Sequence, residues 1–310
     1  MSKFKEMLNA SFKSEDTEEW LDVHFTRPIG LVLALFCKRL GIHPNAVTIV
    51  SIFVGAAAGW MFFHTDLCHN LLGVALLMFA NFLDSTDGQL ARLTGQKTLL
   101  GRVLDGFAGD VWFFSIYFFV CLRLMNEDIP LLGVKWGLTI WLLAFVAGII
   151  CHSPQSSLAD YYRQIHLLFL KGRAGSELDT YESQRKIYDA LSWKDWFQCL
   201  FYLNYSNYCK SQERRTPAFQ AMMGAIRKRF GDVPAMPEEL KREFLDGSRP
   251  LMKYTNMLTF NVRAICIYAT CLLGCPWVFM LIDICVLQIM YAYMRRKHEN
   301  LCLTITEKIQ

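Results

Sequence analysis

Aspartates carry the most informative chemistry in this sequence. From Asp84 to Asp110 the chain reads DSTDGQLARLTGQKTLLGRVLDGFAGD, with carboxylates at Asp84, Asp87, Asp105 and Asp110. The stretches on either side are apolar, and a carboxylate set among such residues is costly unless it has a partner or a ligand. Asp84 and Asp87 are three apart, so a helix presents both on one face. Thr94, Gly95 and Gln96 suit a tight hairpin, which returns Asp105 and Asp110 to the same depth. Carboxylates crowded in this way repel one another and hold protons unless a cation neutralises them. Oxygen-only donors suit Mg²⁺, Mn²⁺ or Ca²⁺ rather than zinc. Gly88 and Ala91 leave the facing helix surface bare, and Arg92 can offer a bidentate fork to phosphate. Carboxylates, cation, bare surface and arginine together describe a pyrophosphate site.

The elements that must hold these residues are membrane spans. The chain has 310 residues, of which 53% are apolar and 19% charged. Its apolar residues come in blocks rather than at amphipathic spacing. About 20 such residues cross roughly 30 Å of hydrocarbon. Six blocks meet that expectation, at 47–63, 71–90, 100–124, 131–151, 258–274 and 277–294. Before them, 27–40 (RPIGLVLALFCKRL) is apolar but short and basic at both ends, as a helix lying in the interface would be. Pro44 and Asn45 open the first span, with Asn45 expected as its N-cap.

Basic residues mark the cytoplasmic face of a membrane protein. The loops at 64–70 and 126–130 contain no Lys or Arg, and only Arg123 and Lys135 lie near that side. Arg92, Lys97, Arg102, the segment 153–254 and the run Arg295, Arg296, Lys297 lie on the other. Both termini and the aspartates are therefore expected in the cytoplasm. The segment 153–254 mixes aromatics with charges of both signs, unlike a disordered tether. Pro217, Pro234, Pro237 and Pro250 divide it into helices, and 193–208 has helical bias. The expected fold is all-α: a polytopic bundle of about six transmembrane helices with an interfacial N-terminal helix and a helical cytoplasmic insertion. The division is a cytoplasmic N-terminal segment (1–26), a membrane core (27–152), the insertion (153–254), and two last spans with a cytoplasmic C-terminus (255–310).

Composition excludes other classes. A net charge of +4 gives no nucleic-acid footprint. The 11 cysteines are scattered, without a C-x-x-C pair or a Cys/His cluster at zinc spacing. Cys266, Cys271 and Cys285 sit in apolar blocks and read as small reduced hydrophobes. The first 20 residues are polar, so no cleaved signal sequence is expected.

The aspartate stretch resembles the signature of the CDP-alcohol phosphotransferase family, D-x-x-D-G-x-x-A-R-(x)8-G-x-x-x-D-x-x-x-D. The match falls on Asp84, Asp87, Gly88, Ala91, Arg92, Gly101 and Asp105, with the long spacer intact. HPNAVT, residues 43–48, is similar to the family's entry to its first span. The resemblance implies a membrane domain of six helices, a homodimer in the bilayer, and a cytoplasmic active site. It further implies a CDP-linked donor held through its pyrophosphate by Mg²⁺ or Mn²⁺, two per site. Asp84, Asp87 and Asp105 would be ligands, and the fourth aspartate a ligand or general base. Gly88, Ala91, Arg92 and Gly101 would contact the donor. The base takes the proton of an acceptor hydroxyl, which attacks the β-phosphorus and expels CMP.

This sequence departs from the pattern at its last position. The signature expects the fourth aspartate where Gly109 stands, and Asp110 follows one residue later. On a regular helix, residues five apart lie about 140° from each other. One reading absorbs the extra residue as a π-bulge eased by Gly106 and Gly109, which returns Asp110 to the metals as ligand and base beside Asp105. The other leaves Asp110 on a neighbouring polar group and the site without its base. The bulge is favoured, because an aspartate at this depth is costly without a role.

Weaker signals have two readings each. Arg249, Lys253 and Arg263 flank the fifth span as an acceptor-phosphate pocket or as ordinary positive-inside anchors. Asp283 in the sixth span reads as a contact between helices, and His152 as a structural hydrogen-bonder rather than a catalytic partner of Asp160. The leading function is transfer of a phosphatidyl group to a small polar acceptor, with an inositol phosphate favoured by the basic residues near the fifth span. A soluble CDP-alcohol donating its headgroup to a lipid hydroxyl is the alternative. A catalytically silent scaffold of the same fold and an ion-coupled transporter are the rivals from other classes. The transporter predicts carboxylates at mid-membrane and broken helices, whereas these aspartates cluster towards one surface.

Overall fold

A computed structural model describes residues 6–8, 14, 16–130 and 132–310, apart from the side chains of Leu99, Trp193 and Phe197. The reading of the first 20 residues falls largely outside these, as does Leu131, where the fourth block begins. Every regular element among the described residues is helical, and Asp128 and Lys135 form an isolated antiparallel bridge. The helices are α1 (Arg27–Arg39), α2 (Pro44–Met61), α3 (Leu67–Thr94), α4 (Leu99–Leu124), α5 (Thr139–Phe145), α6 (Ser153–Lys171) and α7 (Tyr181–Asp189). They continue as α8 (Trp196–Arg215), α9 (Pro217–Phe230), α10 (Glu238–Ser248), α11 (Met252–Met257), α12 (Phe260–Leu272), α13 (Trp277–Leu281) and α14 (Gln288–Ile309).

Five stretches are long and apolar enough to cross a membrane: Pro44–Met61, Leu67–Thr94, Leu100–Leu124, Thr139–Lys171 and Trp277–Ile309. The chain is thus an all-α, multi-pass membrane protein. The span expected at 258–274 is not among them. There the helix α12 has 13 residues, a rise of about 20 Å against roughly 30 Å of hydrocarbon. The chain breaks at Leu258, whose N–H turns back to the carbonyls of Tyr254 and Thr255 and closes α11. Gly274, with φ +72°, lies beyond its other end.

The chain divides into two compact units, one formed by Met1–Ser153 and Phe260–Leu287, the other by Pro154–Thr259 and Gln288–Gln310. In the first unit α2, α3 and α4 pack together, and small residues set how closely. A Cβ on Gly55 would fall 2.1 Å from the Trp112 ring, and one on Gly59 would fall 2.3 Å from Ser115 Oγ. Such close backbone approach is what small residues allow between membrane helices. It also lets α4 donate to α2: Trp112 Nε1–H to the Ser51 carbonyl at 2.9 Å, and Ser115 Oγ–H to that of Ala56 at 2.8 Å. The expected first helix is present as α1. It packs on α3, with Gln89 Nε2 donating to the Arg27 carbonyl at 3.0 Å.

The N-cap of α2 is His43, not Asn45. Its Nδ1 accepts from the Asn45 N–H at 3.2 Å, with Pro44 in the first turn. Proline there is pre-set for a helix and lacks only an N–H that would be unbonded anyway.

In the second unit the prolines punctuate as expected. Pro217 opens α9, Pro237 precedes α10, and Pro234 and Pro250 lie in short 3₁₀ turns. α14 packs on α9 and α10, and α7 pairs with α8. Arg173 holds Asp232 through two hydrogen bonds of 2.6 and 3.0 Å, and this pairing lowers the Asp232 carboxyl below its usual range. All 11 cysteines are free thiols.

Candidate active site

Asp84 and Asp87 lie in the last turns of α3, and Asp105 in the second turn of α4. The hairpin between them is built as its residues suggest. α3 stops at Thr94, Gly95 takes the left-handed conformation at φ +71°, and Thr98 caps α4 by accepting from the Gly101 N–H at 2.9 Å. This brings a carboxylate oxygen from each of Asp84, Asp87 and Asp105 within 4.8 Å of the others. The side chains of Asp84 and Asp105 reach hydrogen-bonding distance, and the charge of Asp22 also acts on Asp84.

Two neighbours steady the group. Thr48 Oγ1 donates to Asp87 Oδ2 at 2.5 Å, and the charge of Arg92 acts on Asp87 from one turn away. Asp87 and Thr48 are buried, at 5% and 1% exposure. A trio of convergent carboxylates with one arginine beside it fits a hard divalent cation, because oxygen donors and negative charge are both in surplus.

The glycines differ in what they do. A Cβ on Gly88 would meet only the Arg92 guanidinium, at 3.7 Å or more. Packing within the chain leaves room for a side chain there. Gly101 is crowded instead: its Cβ would come 3.1 Å from Thr98 Oγ1 and 3.2 Å from Asn45 Oδ1. Ala91 and Arg92 follow on α3, both part-exposed.

The expected bulge is absent. α4 is a regular α-helix from Leu99 to Leu124, so the two glycines do not break it and Asp110 stays far round the helix from Asp105. Asp110 is exposed and is not among the carboxylates that converge. π-helical turns occur instead at Asp22–Thr26, Val146–His152 and Ile282–Leu287.

The latter two π turns touch each other near a buried polar cluster. Arg263 Nε–H donates to Asp283 Oδ1 at 3.1 Å, and the Tyr117 hydroxyl to Asp283 Oδ2 at 2.5 Å. Arg263 and Asp283 are each 2% exposed. Arg263 is therefore engaged in an ion pair between helices, the contact expected of Asp283. Arg249 and Lys253 belong to the second unit. There Arg249 pairs with Asp246 at 3.1 Å, and Lys253 lies over the Tyr254 ring. His152 packs its ring against the edge of Phe113 at 4.3 Å.

Residue types alone did not reveal Thr48, Asp22 or Glu19. Asn261 Nδ2 donates to Glu19 Oε2 at 2.7 Å and to Asp22 Oδ1 at 3.1 Å, and of these two carboxylates Asp22 acts on Asp84. HPNAVT held the signal for Thr48, whereas Glu19 and Asp22 lie in an unpatterned polar stretch.

Helical hairpin, convergent aspartates and spacing define a class. Residues 41–162 match the family described as CDP-alcohol phosphatidyltransferase. An archaetidylinositol phosphate synthase of Pyrococcus horikoshii is 35% identical over 105 residues, covering 34% of this chain and 52% of that protein. The chain thus spans about half the length of the curated relative it matches.

Proposed function

We propose that the chain is a phosphotransferase of phospholipid biosynthesis, moving a phosphoalcohol group from a CDP-linked donor to an acceptor hydroxyl. The convergence of Asp84, Asp87 and Asp105 carries this reading. These three would hold two divalent cations, Mg²⁺ or Mn²⁺, which supply charge neutralisation and in-line orientation at the pyrophosphate. Gly88 and Ala91 give the donor phosphates a bare surface, Arg92 offers them a guanidinium, and Gly101 keeps the start of α4 close to α2. The acceptor oxygen forms a bond to the β-phosphorus while the bond from that phosphorus to the bridging oxygen breaks. CMP leaves with the electron pair, and the acceptor proton goes to a carboxylate.

Asp105 is the carboxylate we assign to that proton transfer, and Asp110 is assigned no contact with the cations. A lipid-linked rather than a soluble CDP donor, and an inositol-phosphate-type acceptor, are supported by the name of the Pyrococcus relative. Loop charges support cytoplasmic termini and a cytoplasmic site, and the homodimer is what the resemblance to the family implies. The second reading, a silent scaffold of the same fold, is favoured by the placement of Asp110 away from the trio.

CMP release from purified protein in lipid, with a panel of CDP-alcohols, acceptors and Mg²⁺ or Mn²⁺, tests both. We expect metal-dependent release that Asp105→Asn abolishes and Asp110→Asn leaves within about tenfold of the parent, a shift worth under about 1.4 kcal/mol. Loss in both variants would return Asp110 to the site. No release from any pair would establish the scaffold.

A further inference from the structure

The second unit holds a donor set unlike the aspartates. His298, Glu299 and Cys302 lie on α14, and one ligand atom from each falls within 4.8 Å of the others. Their spacing explains this: on a helix His298 and Cys302 stack one turn apart, and Glu299 is three residues from Cys302, so the three form a triangle. His298 and Cys302 are both 0% exposed.

We propose that His298, Glu299 and Cys302 form a binding site for a zinc-type divalent cation. His298 Nδ1 and Cys302 Sγ are 3.6 Å apart. A tetrahedral zinc with bonds of about 2.3 Å to sulfur and about 2.0 Å to nitrogen sets those atoms about 3.5 Å apart. The carboxylate is held as a ligating carboxylate usually is, hydrogen-bonded from behind. Glu299 Oε2 accepts from the Ala218 N–H at 2.8 Å, at the start of α9.

An independent observation points to a ligand. Glu299 Oε1 and the Tyr162 hydroxyl are buried atoms without a hydrogen-bond partner among the described residues. A buried polar atom left so is costly. Tyr162 is 0% exposed, its ring is stacked on His298 at 3.9 Å and 15°, and its phenol interacts with Glu299 and Cys302. A thiol donating to the imidazole would account for the 3.6 Å contact but leaves Oε1 and the phenol unmet. A cation at the trio engages Oε1 directly and gives the phenol, or a water beside it, the remaining position. Nitrogen, sulfur and a single carboxylate select borderline metals such as zinc, whereas the aspartate trio selects Mg²⁺ or Mn²⁺.

Cobalt reports on this site because a thiolate ligand gives it a charge-transfer absorption that oxygen ligands do not. Full-length protein is stripped with a chelator and titrated with Co²⁺ in a Mg²⁺ buffer, and retained zinc is measured by elemental analysis after dialysis. We expect the thiolate band and retained zinc in the parent and in Cys271→Ser, a buried cysteine of the first unit. Cys302→Ser should lose the band, and Glu299→Gln should weaken zinc binding about tenfold or more. Absence of the band and of zinc in the parent, or a band that persists in Cys302→Ser, overturns the proposal. Should Cys302→Ser not fold, unchanged zinc affinity in Glu299→Gln overturns it instead.

Discussion

The hydroxyl of Thr48 shows how a site depends on a residue that performs no chemistry. It donates to Asp87 at 2.5 Å from a different helix, fixing which carboxylate oxygen faces the trio. Thr48→Val keeps the shape and removes the donor. Loss of a partner that orients a metal ligand costs about 10–100-fold in metal affinity or activity. We expect a loss of that size, expressed as a higher Mg²⁺ or Mn²⁺ concentration for half-maximal CMP release and largely restored by Thr48→Ser. A purely structural role would lower the maximal rate and leave the metal requirement unmoved. The convergent carboxylates themselves were legible, because carboxylates, glycine and arginine at fixed spacing have few other uses in an apolar stretch. Thr48 was not, since its role depends on a contact across 39 residues. The bulge expected at Asp110 is absent for a related reason. Two glycines weaken a helix, but packing on one side of α4, through Trp112 and Ser115, keeps it regular.

Among the elements, two of the three π turns lie beside a buried ion pair. Val146–His152 and Ile282–Leu287 meet beside Tyr117, Arg263 and Asp283. A π turn re-aims side chains by inserting one residue, and Asp283 lies inside such a turn. Sequence showed Asp283 as an intramembrane carboxylate, yet could not name Arg263 as its partner, because Arg263 equally resembles a basic anchor at a span end. Arg263→Met leaves a buried carboxylate uncompensated, for which the expected loss is about 3–5 kcal/mol of stability. Adding Asp283→Leu should recover much of it. Unfolding in detergent, read for both single variants and the pair, measures the coupling. Equal and additive losses would show that the pair contributes nothing beyond packing.

For the whole molecule, class and helical content were legible from apolar blocks, and the number of crossings less so. Length decides that number, and α12 is cut short by the turn at Leu258. The assignment of the last helix was also hidden: α14 belongs to the same unit as 154–259, because its packing partners are α9 and α10. Orientation is testable at this scale. Cys68 is exposed at the start of α3, in a loop without lysine or arginine, which positive-inside bias assigns to the outer face. A variant retaining only Cys68 should react with an impermeant maleimide in right-side-out vesicles. Labelling only after permeabilisation would invert the topology.

The regularity of α4 has a consequence for how such proteins diverge. Nothing lies within 4 Å of a Cβ built on Gly109, one turn beyond Asp105. The scaffold would accept a carboxylate at that position without repacking, and almost any side chain suits a helix interior better than glycine does. Whether a lineage carries the family's fourth aspartate is therefore separable from whether it keeps the architecture. Drift at this codon can tune or silence the chemistry while the protein around it goes on folding, inserting and occupying its place in the membrane.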